Sequence, residues 1–250
     1  MLCAIINQAM EKPYLRKLED LGEFEVWEVD GMYVRNNLNR EFTNFGQHFR
    51  FPFIPKHQFW IDKENSSNET AYYVDHMIVE WNLMNQGVDY DAAITKADRH
   101  EQKERKKSEL MEKVRKELSD TSKKVPKEIY VQKLTDSELP QIWIVNGELV
   151  RGMYFIDFTE GGHHFVYDFV PYNEVWLDSD LIPKEREFVL LHELHERYLM
   201  FKGQTYNHAH NSSSYIEYLC RRNPSLLADD LEKEMANNAL IKPEFVSEIA

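Results

Sequence analysis

The sequence predicts an α+β protein made of a tandem duplication, with each copy an antiparallel β-meander followed by two helices. Residues 26–104 align with residues 142–220 without a gap, at a constant offset that places Trp143 on Trp27. About 23 of about 79 aligned positions are identical, a length and register typical of an internal repeat. We therefore expect a first repeat at 1–118 and a second at 119–250.

The opening part of each copy is rich in strand-forming residues. In the second copy, residues 141–145 read as a strand, and Asn146-Gly147 is a strong signal for a hairpin turn. Asp30-Gly31 is the matching turn of the first copy. Three further strands are expected in the second copy, at 153–158, 163–170 and 175–178.

The hydrophobic period then changes from strand to helix. A first helix can begin at Pro183, and Gly203 is a plausible C-cap for it. A second helix is expected at about 207–222, ending before Pro224, and an amphipathic helix follows it. The apolar residues that recur at spacings of three and four are Phe188, Leu191, Leu194, Tyr198 and Phe201.

The segment between the copies, residues 101–127, is highly charged and contains no glycine. Leu110, Val114 and Leu118 recur at helical spacing, so the last helix of the first copy is expected to continue as an exposed rod. A basic patch for nucleic acid is the alternative. Interleaved acidic residues favour the solvated helix.

Composition limits the function classes. The formal net charge of −13 disfavours general nucleic-acid binding, which needs a surplus of Lys and Arg. Cys3 and Cys220 are expected to be free thiols. The N-terminus lacks the pattern of a signal peptide, and no apolar stretch is long enough for a membrane span. These features predict a cytoplasmic protein.

A histidine and carboxylate cluster is the main candidate site. The first helix of the second copy contains His192-Glu193-Leu194-His195-Glu196, and residues at i and i+4 project from one helical face. His192 and Glu196 can therefore bind one Zn²⁺, and Glu193 stands where HExxH metalloproteases have their general base. The segment resembles that zincin helix with Glu196 in place of the second histidine. His195 is an alternative ligand.

The next helix can complete the site. His210 is the expected third ligand, with His208 as an alternative, and Glu217 lies two turns further on the same face. His164 is expected to stabilise an oxyanion, and its neighbour His163 is expected on the opposite face of the sheet. A hydrogen-bonded polar network without metal is the competing interpretation of the whole cluster.

The first copy keeps only part of this pattern. It retains a set of histidines and carboxylates, namely His48, His76, Glu80 and Glu101. It has Met77 where the second copy has Glu193, and Ile94 where the second copy has His210. We therefore expect a degenerate site in the first copy and one metal ion for each chain.

The second copy also resembles a group of uncharacterised bacterial and phage-encoded proteins. The resemblance lies in the patterns FTxGGHH, EVWLD, HELHE and GxxYxxAH, which cover 158–210, together with Glu217. It supports the extent of the repeat and the location of the site, and it implies no particular reaction.

Two functions follow as hypotheses. The first is a zinc-dependent, metallopeptidase-like hydrolase in which His192, Glu196, His210 and Glu217 hold the ion, with Glu193 and His164 as catalytic groups. The second is an acidic binding or inhibitor protein, for example a phage-encoded counter-defence factor, in which the cluster is structural.

Overall fold

The computed structural model describes residues 12–117, 125–136 and 139–241. The chain divides into two compact units, with the boundary between Ala97 and Asp98. Each unit combines a four-stranded sheet with helices, so the α+β class is confirmed. Cys3 and the predicted absence of a signal peptide fall on residues outside the described ranges.

The two sheets have the same strand order and the same strand directions. The first contains β1 (Tyr14–Leu21), β2 (Phe24–Val29), β3 (Phe45–Gln47) and β4 (Gln58–Asp62), in the order β1-β2-β4-β3. The second contains β5 (Tyr130–Lys133), β6 (Gln141–Val145), β7 (Gly161–His163) and β8 (Glu174–Asp178), in the order β5-β6-β8-β7. The central pair is parallel in both sheets and both edge pairs are antiparallel.

The predicted antiparallel meander is therefore wrong. The parallel central pair needs a crossover connection, and helix α1 (Gly31–Asn37) or α5 (Gly147–Met153) begins that connection. Asn146 is the N-cap of α5 and accepts the Leu149 backbone N–H at 3.0 Å. The Asn-Gly and Asp-Gly pairs are capping signals here, because Asn and Asp favour N-caps as well as hairpin turns.

A close approach explains the glycine that follows each cap. A Cβ added to Gly31 or Gly147 would lie well inside contact distance of the Asp62 or Asp178 carboxylate. The same aspartates pair with buried arginines, Arg35 to Asp62 at 2.8 Å and Arg151 to Asp178 at 2.6 Å. The short helix is thus held against the end of the central strand in each unit.

The predicted strands 153–158 and 163–170 are also absent. Only the three residues Gly161–His163 of this region form a strand, β7, which pairs with β8. This strand has glycine at positions 161 and 162 because a Cβ there would collide with Trp176 O or with the Tyr167 ring. A pair of glycines normally indicates a turn, which is why the pattern was misleading.

The helices agree well with the sequence prediction. Helix α6 spans Pro183–Phe201 with the proline in its first turn, α7 spans Tyr206–Arg222, and α8 spans Leu227–Asn238. Gly203, between α6 and α7, has a φ of 84°, which is the conformation expected of a C-cap glycine. Their counterparts in the first half are α2 (Thr70–Asn85) and α3 (Tyr90–Arg105).

The two faces of the second sheet bury separate cores. Ile142, Ile144 and Leu177 pack towards α6 residues such as Val189. On the other face, Trp176 packs with residues of α5 such as Val150. Alternation along the strands places α6 firmly on one face, next to the edge strand β7 that leads into the candidate site.

The continuous exposed rod predicted for 101–127 is not observed. Helix α3 ends at Arg105, and a separate helix α4 begins at Glu109 and ends at Glu117. Met111 and Val114 of α4 are buried in the α5 core of the second unit. Residues 118–124 lie outside the described ranges. Among the described residues, no helix is long and apolar enough to cross a membrane.

Candidate metal centre

The candidate site lies between α6 and α7. His192 and Glu196 stand one turn apart on α6, and their partners on α7 run in the opposite sense, Glu217 for His192 and His210 for Glu196. The two helices are therefore antiparallel neighbours, as the short turn through Gly203 requires. The structure brings all four predicted metal ligands into one cluster.

Three of these side chains converge on a single point. His192 Nε2 lies 3.2 Å from His210 Nδ1 and 3.6 Å from Glu196 Oε2, and His210 Nδ1 lies 2.9 Å from Glu196 Oε2. Metal bonds of about 2.0–2.1 Å in a tetrahedron would separate ligand atoms by about 3.3 Å. The triangle of ligand atoms thus has the dimensions of one face of a tetrahedral metal site.

Glu217 occupies a different position from the one predicted. Its Oε2 lies 2.9 Å from Nδ1 of His192, on the side of the imidazole away from the triangle. Its Oε1 accepts a hydrogen bond from Arg221 Nε at 2.8 Å, and Arg221 also pairs with the buried Glu185 at 2.8 Å. Glu217 therefore orients His192, because it accepts the Nδ1 proton and leaves Nε2 facing the triangle.

The environment of the cluster favours a protonated His192 together with an ionised Glu196. Burial opposes a charge on His192, but its hydrogen bonds with Glu196 and Glu217 outweigh burial and raise its pKa well above the ordinary value. Burial likewise opposes ionisation of Glu196, but contacts with His163, His192 and His210 lower its pKa far below normal. Without a metal, these groups form a hydrogen-bonded ion network, and a bound cation would replace the His192 proton.

His163 reaches the site, contrary to the prediction. Its Nε2 lies 3.2 Å from Oε1 of Glu196, a close contact off the axis of a linear hydrogen bond. Its Nδ1 accepts the Phe165 backbone N–H at 3.3 Å, which places the imidazole proton on Nε2 and towards the carboxylate. Burial lowers the pKa of His163, so it is neutral. His163 therefore fixes the orientation of Glu196.

Glu193 lies beside the triangle on the sheet side of α6. It forms a second close group with His163 and Glu196, whose ligand atoms all lie within 4.8 Å of one another. Burial, with the nearby Glu196 carboxylate, raises its pKa to about 8. Gly161 provides the space for this side chain, since a Cβ on Gly161 would lie 3.0 Å from Glu193 Cγ.

The remaining histidines lie elsewhere. His164 has no hydrogen-bond partner on either ring nitrogen among the described residues, and it packs on Phe165 with ring centroids 4.0 Å apart. Among the described residues its ring lies 6.4 Å from that of His163, centroid to centroid, and it has no hydrogen bond to the three converging side chains, so its role as an oxyanion donor stays a prediction. His195 is bonded to other partners, and His208 is exposed, so neither replaces a ligand.

The equivalent positions of the first unit lack most of these groups. His76 and Glu80 are buried, and their facing atoms are 3.9 Å apart. Gln47 stands at the position of His163 and Met77 at that of Glu193. Phe45 stands at the position of Gly161, packs against the Met77 cluster, and lies 5.1 Å from the His76 ring. The space used by Glu193 in the second unit is hydrophobic here.

Sequence reasoning missed three members of the site: His163, Arg221 and Glu185. A signal for two of them was available, because Glu69 and Arg105 stand at the same offset from Glu185 and Arg221. Arg105 donates to Glu101 at 2.8 Å, as Arg221 donates to Glu217.

Comparisons with known protein families, curated proteins and solved structures found no match.

Proposed function

We propose that the second unit binds one zinc ion through His192, Glu196 and His210, and that it is a metal-dependent hydrolase. The observation that carries this proposal is the triangle of ligand atoms with edges of 2.9, 3.2 and 3.6 Å. Two of its three members have a dedicated partner that holds them in position, Glu217 for His192 and His163 for Glu196. Such supporting partners are typical of metal sites.

Glu193 is the group that this site would use as a base. Zinc acts as a Lewis acid and lowers the pKa of a bound water to about 7. Glu193 follows the first ligand directly, as in the zincin helix, and the charge of a bound cation would favour its ionised form, which can accept a proton and later release it to a leaving group. Neutral His163 stays at Glu196 throughout and moves no proton in this scheme.

Tyr206 lies at the edge of the proposed site, against His210. Its ring stacks on His210 with centroids 5.4 Å apart, and 45% of the residue is exposed. An exposed aromatic ring beside a ligand histidine would offer an apolar surface to a substrate. Glu196 stands where the zincin helix has its second histidine, so the resemblance does not select one substrate class. Peptides, amides and esters are therefore all classes to test.

We also propose that the two units arose by tandem duplication and that only the second kept a metal site. The constant offset, the shared strand order and the equivalent buried Arg-Asp pairs support this origin. Met77 and Ile94 offer no ligand or base in the first unit. Zinc bound per chain should therefore be close to one.

One observation favours the alternative of a non-catalytic, acidic binding protein. His192 already has both ring nitrogens close to carboxylates, so the cluster is satisfied electrostatically without a cation. In that case the network would only join α6 to α7. The net charge of −13 would then point to a basic partner surface.

The deciding experiment combines metal analysis with two variants. Zinc content is measured on purified protein, and hydrolysis of peptide, amide and ester panels is followed with zinc added. The variant Glu193→Gln should keep the zinc and lose hydrolysis by about 10²–10⁴-fold, the range for removal of a general base. The variant His192→Ala should lose both, and Glu187→Gln, an exposed acid on the same helix, should lose neither.

The outcomes separate the two functions. Zinc at about one per chain with activity that depends on Glu193 supports the hydrolase. Absence of zinc binding by the wild type, with unchanged folding in both variants, would reject it in favour of the binding protein.

A further inference from the structure

A second polar constellation lies next to the candidate metal centre and uses none of its ligands. His195 of α6 has its Nδ1 3.0 Å from Oε1 of Glu234 on α8. Its Nε2 lies 3.0 Å from the Ser212 hydroxyl on α7. A carboxylate, an imidazole and a serine hydroxyl are thus in line across three helices.

The order of donors and acceptors in this constellation follows from the chemistry of its three groups. An ionised carboxylate can only accept, so His195 Nδ1 donates to Glu234, and in the neutral imidazole Nε2 carries the lone pair. The Ser212 hydroxyl must then donate to Nε2. Asn237 donates to the other oxygen of Glu234 at 3.1 Å and fixes the carboxylate. This is the donor order that a serine nucleophile with a histidine base requires.

The Ser212 hydroxyl is directed away from its own helix. A serine inside a helix commonly donates to the carbonyl four residues earlier. Ser212 makes no such bond among the described residues, and its hydroxyl is hydrogen-bonded to His195 instead. The Glu234 side chain is 1% exposed and the His195 side chain 16%, and Ser212 is partly exposed. The serine end of the constellation is therefore more open to a reagent from solvent than the carboxylate end.

We propose that Ser212, His195 and Glu234 form a second, metal-independent centre, in which Ser212 accepts acyl groups from small esters. The Ser212 oxygen would attack the ester carbonyl carbon as its proton passes to His195 Nε2. The bond to the leaving alkoxide then breaks, and His195 returns the proton to form the alcohol. Water, activated in the same way, releases the acid and restores Ser212.

The surroundings of Ser212 indicate the size and nature of the ester. His208 lies one turn before Ser212 and Tyr215 lies one turn after it on α7, and both are exposed. The Tyr215 ring provides an apolar surface for a short or aromatic acyl group. His208 is the side chain best placed along the helix to donate a hydrogen bond to the developing oxyanion.

The constellation belongs to the second unit alone within the described residues. The positions equivalent to His195 and Ser212 are Val79 and Lys96 in the first unit. Neither residue can act as a base or as a neutral hydroxyl nucleophile. In a labelling experiment on the full chain, the first unit therefore serves as an internal control without the constellation.

The test is covalent labelling of the full chain by a fluorophosphonate, with a metal chelator present in excess. The Ser212 oxygen would attack phosphorus, fluoride would leave with its electron pair, and His195 would take the proton. Labelled sites are identified by peptide mass spectrometry, and the rate at Ser212 is compared with that at exposed Ser225 in the same molecule. Ser212 should react at least about 10²-fold faster, the lower range for general-base assistance.

Matched variants make the result decisive. Ser212→Ala should abolish the fast adduct, His195→Gln should reduce its rate to that of Ser225, and Ser225→Ala should leave it unchanged. Circular dichroism and thermal melting confirm that each variant is folded. If Ser212 in the wild type reacts no faster than Ser225, the hydrogen bonds from Ser212 through His195 to Glu234 only join the three helices and the proposal is wrong. The chelator keeps this outcome independent of the proposed zinc site.

Discussion

Replacing Glu217 by Gln should weaken zinc binding without abolishing it. In the structure Glu217 contacts His192 Nδ1 at 2.9 Å and lies outside the ligand triangle. The substitution keeps the size and one acceptor oxygen of the side chain but removes its charge. Loss of such an orienting carboxylate typically lowers metal affinity by 10–100-fold, which corresponds to about 1.4–2.7 kcal/mol.

The upper part of that range is expected here. Glu217 shares Arg221 with Glu185, so the buried group carries two negative charges and one positive charge. After the substitution the group is neutral, because Arg221 remains paired with Glu185 alone. A neutral neighbourhood attracts a divalent cation less than an anionic one, and burial limits screening by solvent. We therefore expect a loss close to 100-fold.

The assay is competition for zinc between the protein and a chromophoric chelator of known affinity. Glu234→Gln is the matched control, since Glu234 holds His195 in the same way but His195 is not a ligand. Its zinc affinity should change by less than about threefold, and unfolding curves should show both variants folded. Unchanged affinity in Glu217→Gln would refute the orienting role. A loss beyond about 10⁴-fold would show that Glu217 is a direct ligand.

Two further predictions concern stability. Gly161→Ala should destabilise the protein by about 1–3 kcal/mol in urea unfolding, because its Cβ would lie 2.9 Å from Trp176 O and 3.0 Å from Glu193 Cγ; an unchanged unfolding midpoint would contradict the packing around Glu193. For His164, burial lowers the pKa to about 3, so below the unfolded value of about 6.5 the unfolded chain binds more protons and stability falls with falling pH. Between pH 7.0 and 5.5, His164→Phe should lose about 1 kcal/mol less than the wild type, and equal losses would show that His164 is not buried as a neutral group.

Helices were predictable from this sequence, and the connectivity of the sheet was not. Pro183, Gly203 and Pro224 bound α6 and α7 with local signals, and the apolar spacing is long enough to be specific. The central strands 141–145 and 174–178 are short apolar runs that fit a parallel or an antiparallel partner equally well. Asn146-Gly147 then favoured the hairpin, although the helix cap uses the same residue types.

The candidate site was predictable only along the helices. The shared face of His192 and Glu196 follows from helical geometry, and the short connection through Gly203 brings His210 of the next helix back towards them. The side of an imidazole that a carboxylate reaches depends on the packing of α7 against α6, and sequence spacing cannot distinguish Glu217 at Nδ1 from a ligand at Nε2. His163 was misplaced because the strand around it is only three residues long.

The paired difference at Gly161 and Glu193 restricts how the two units can change into one another. In the first unit Phe45 and Met77 fill the corresponding volume with apolar atoms. A glutamate introduced at position 77 alone would be buried against that ring, and a glycine at position 45 alone would leave a cavity. Each single step is unfavourable and only the double replacement is compatible with packing. To reproduce the arrangement of the second unit in the first, positions 45 and 77 would therefore have to be replaced together.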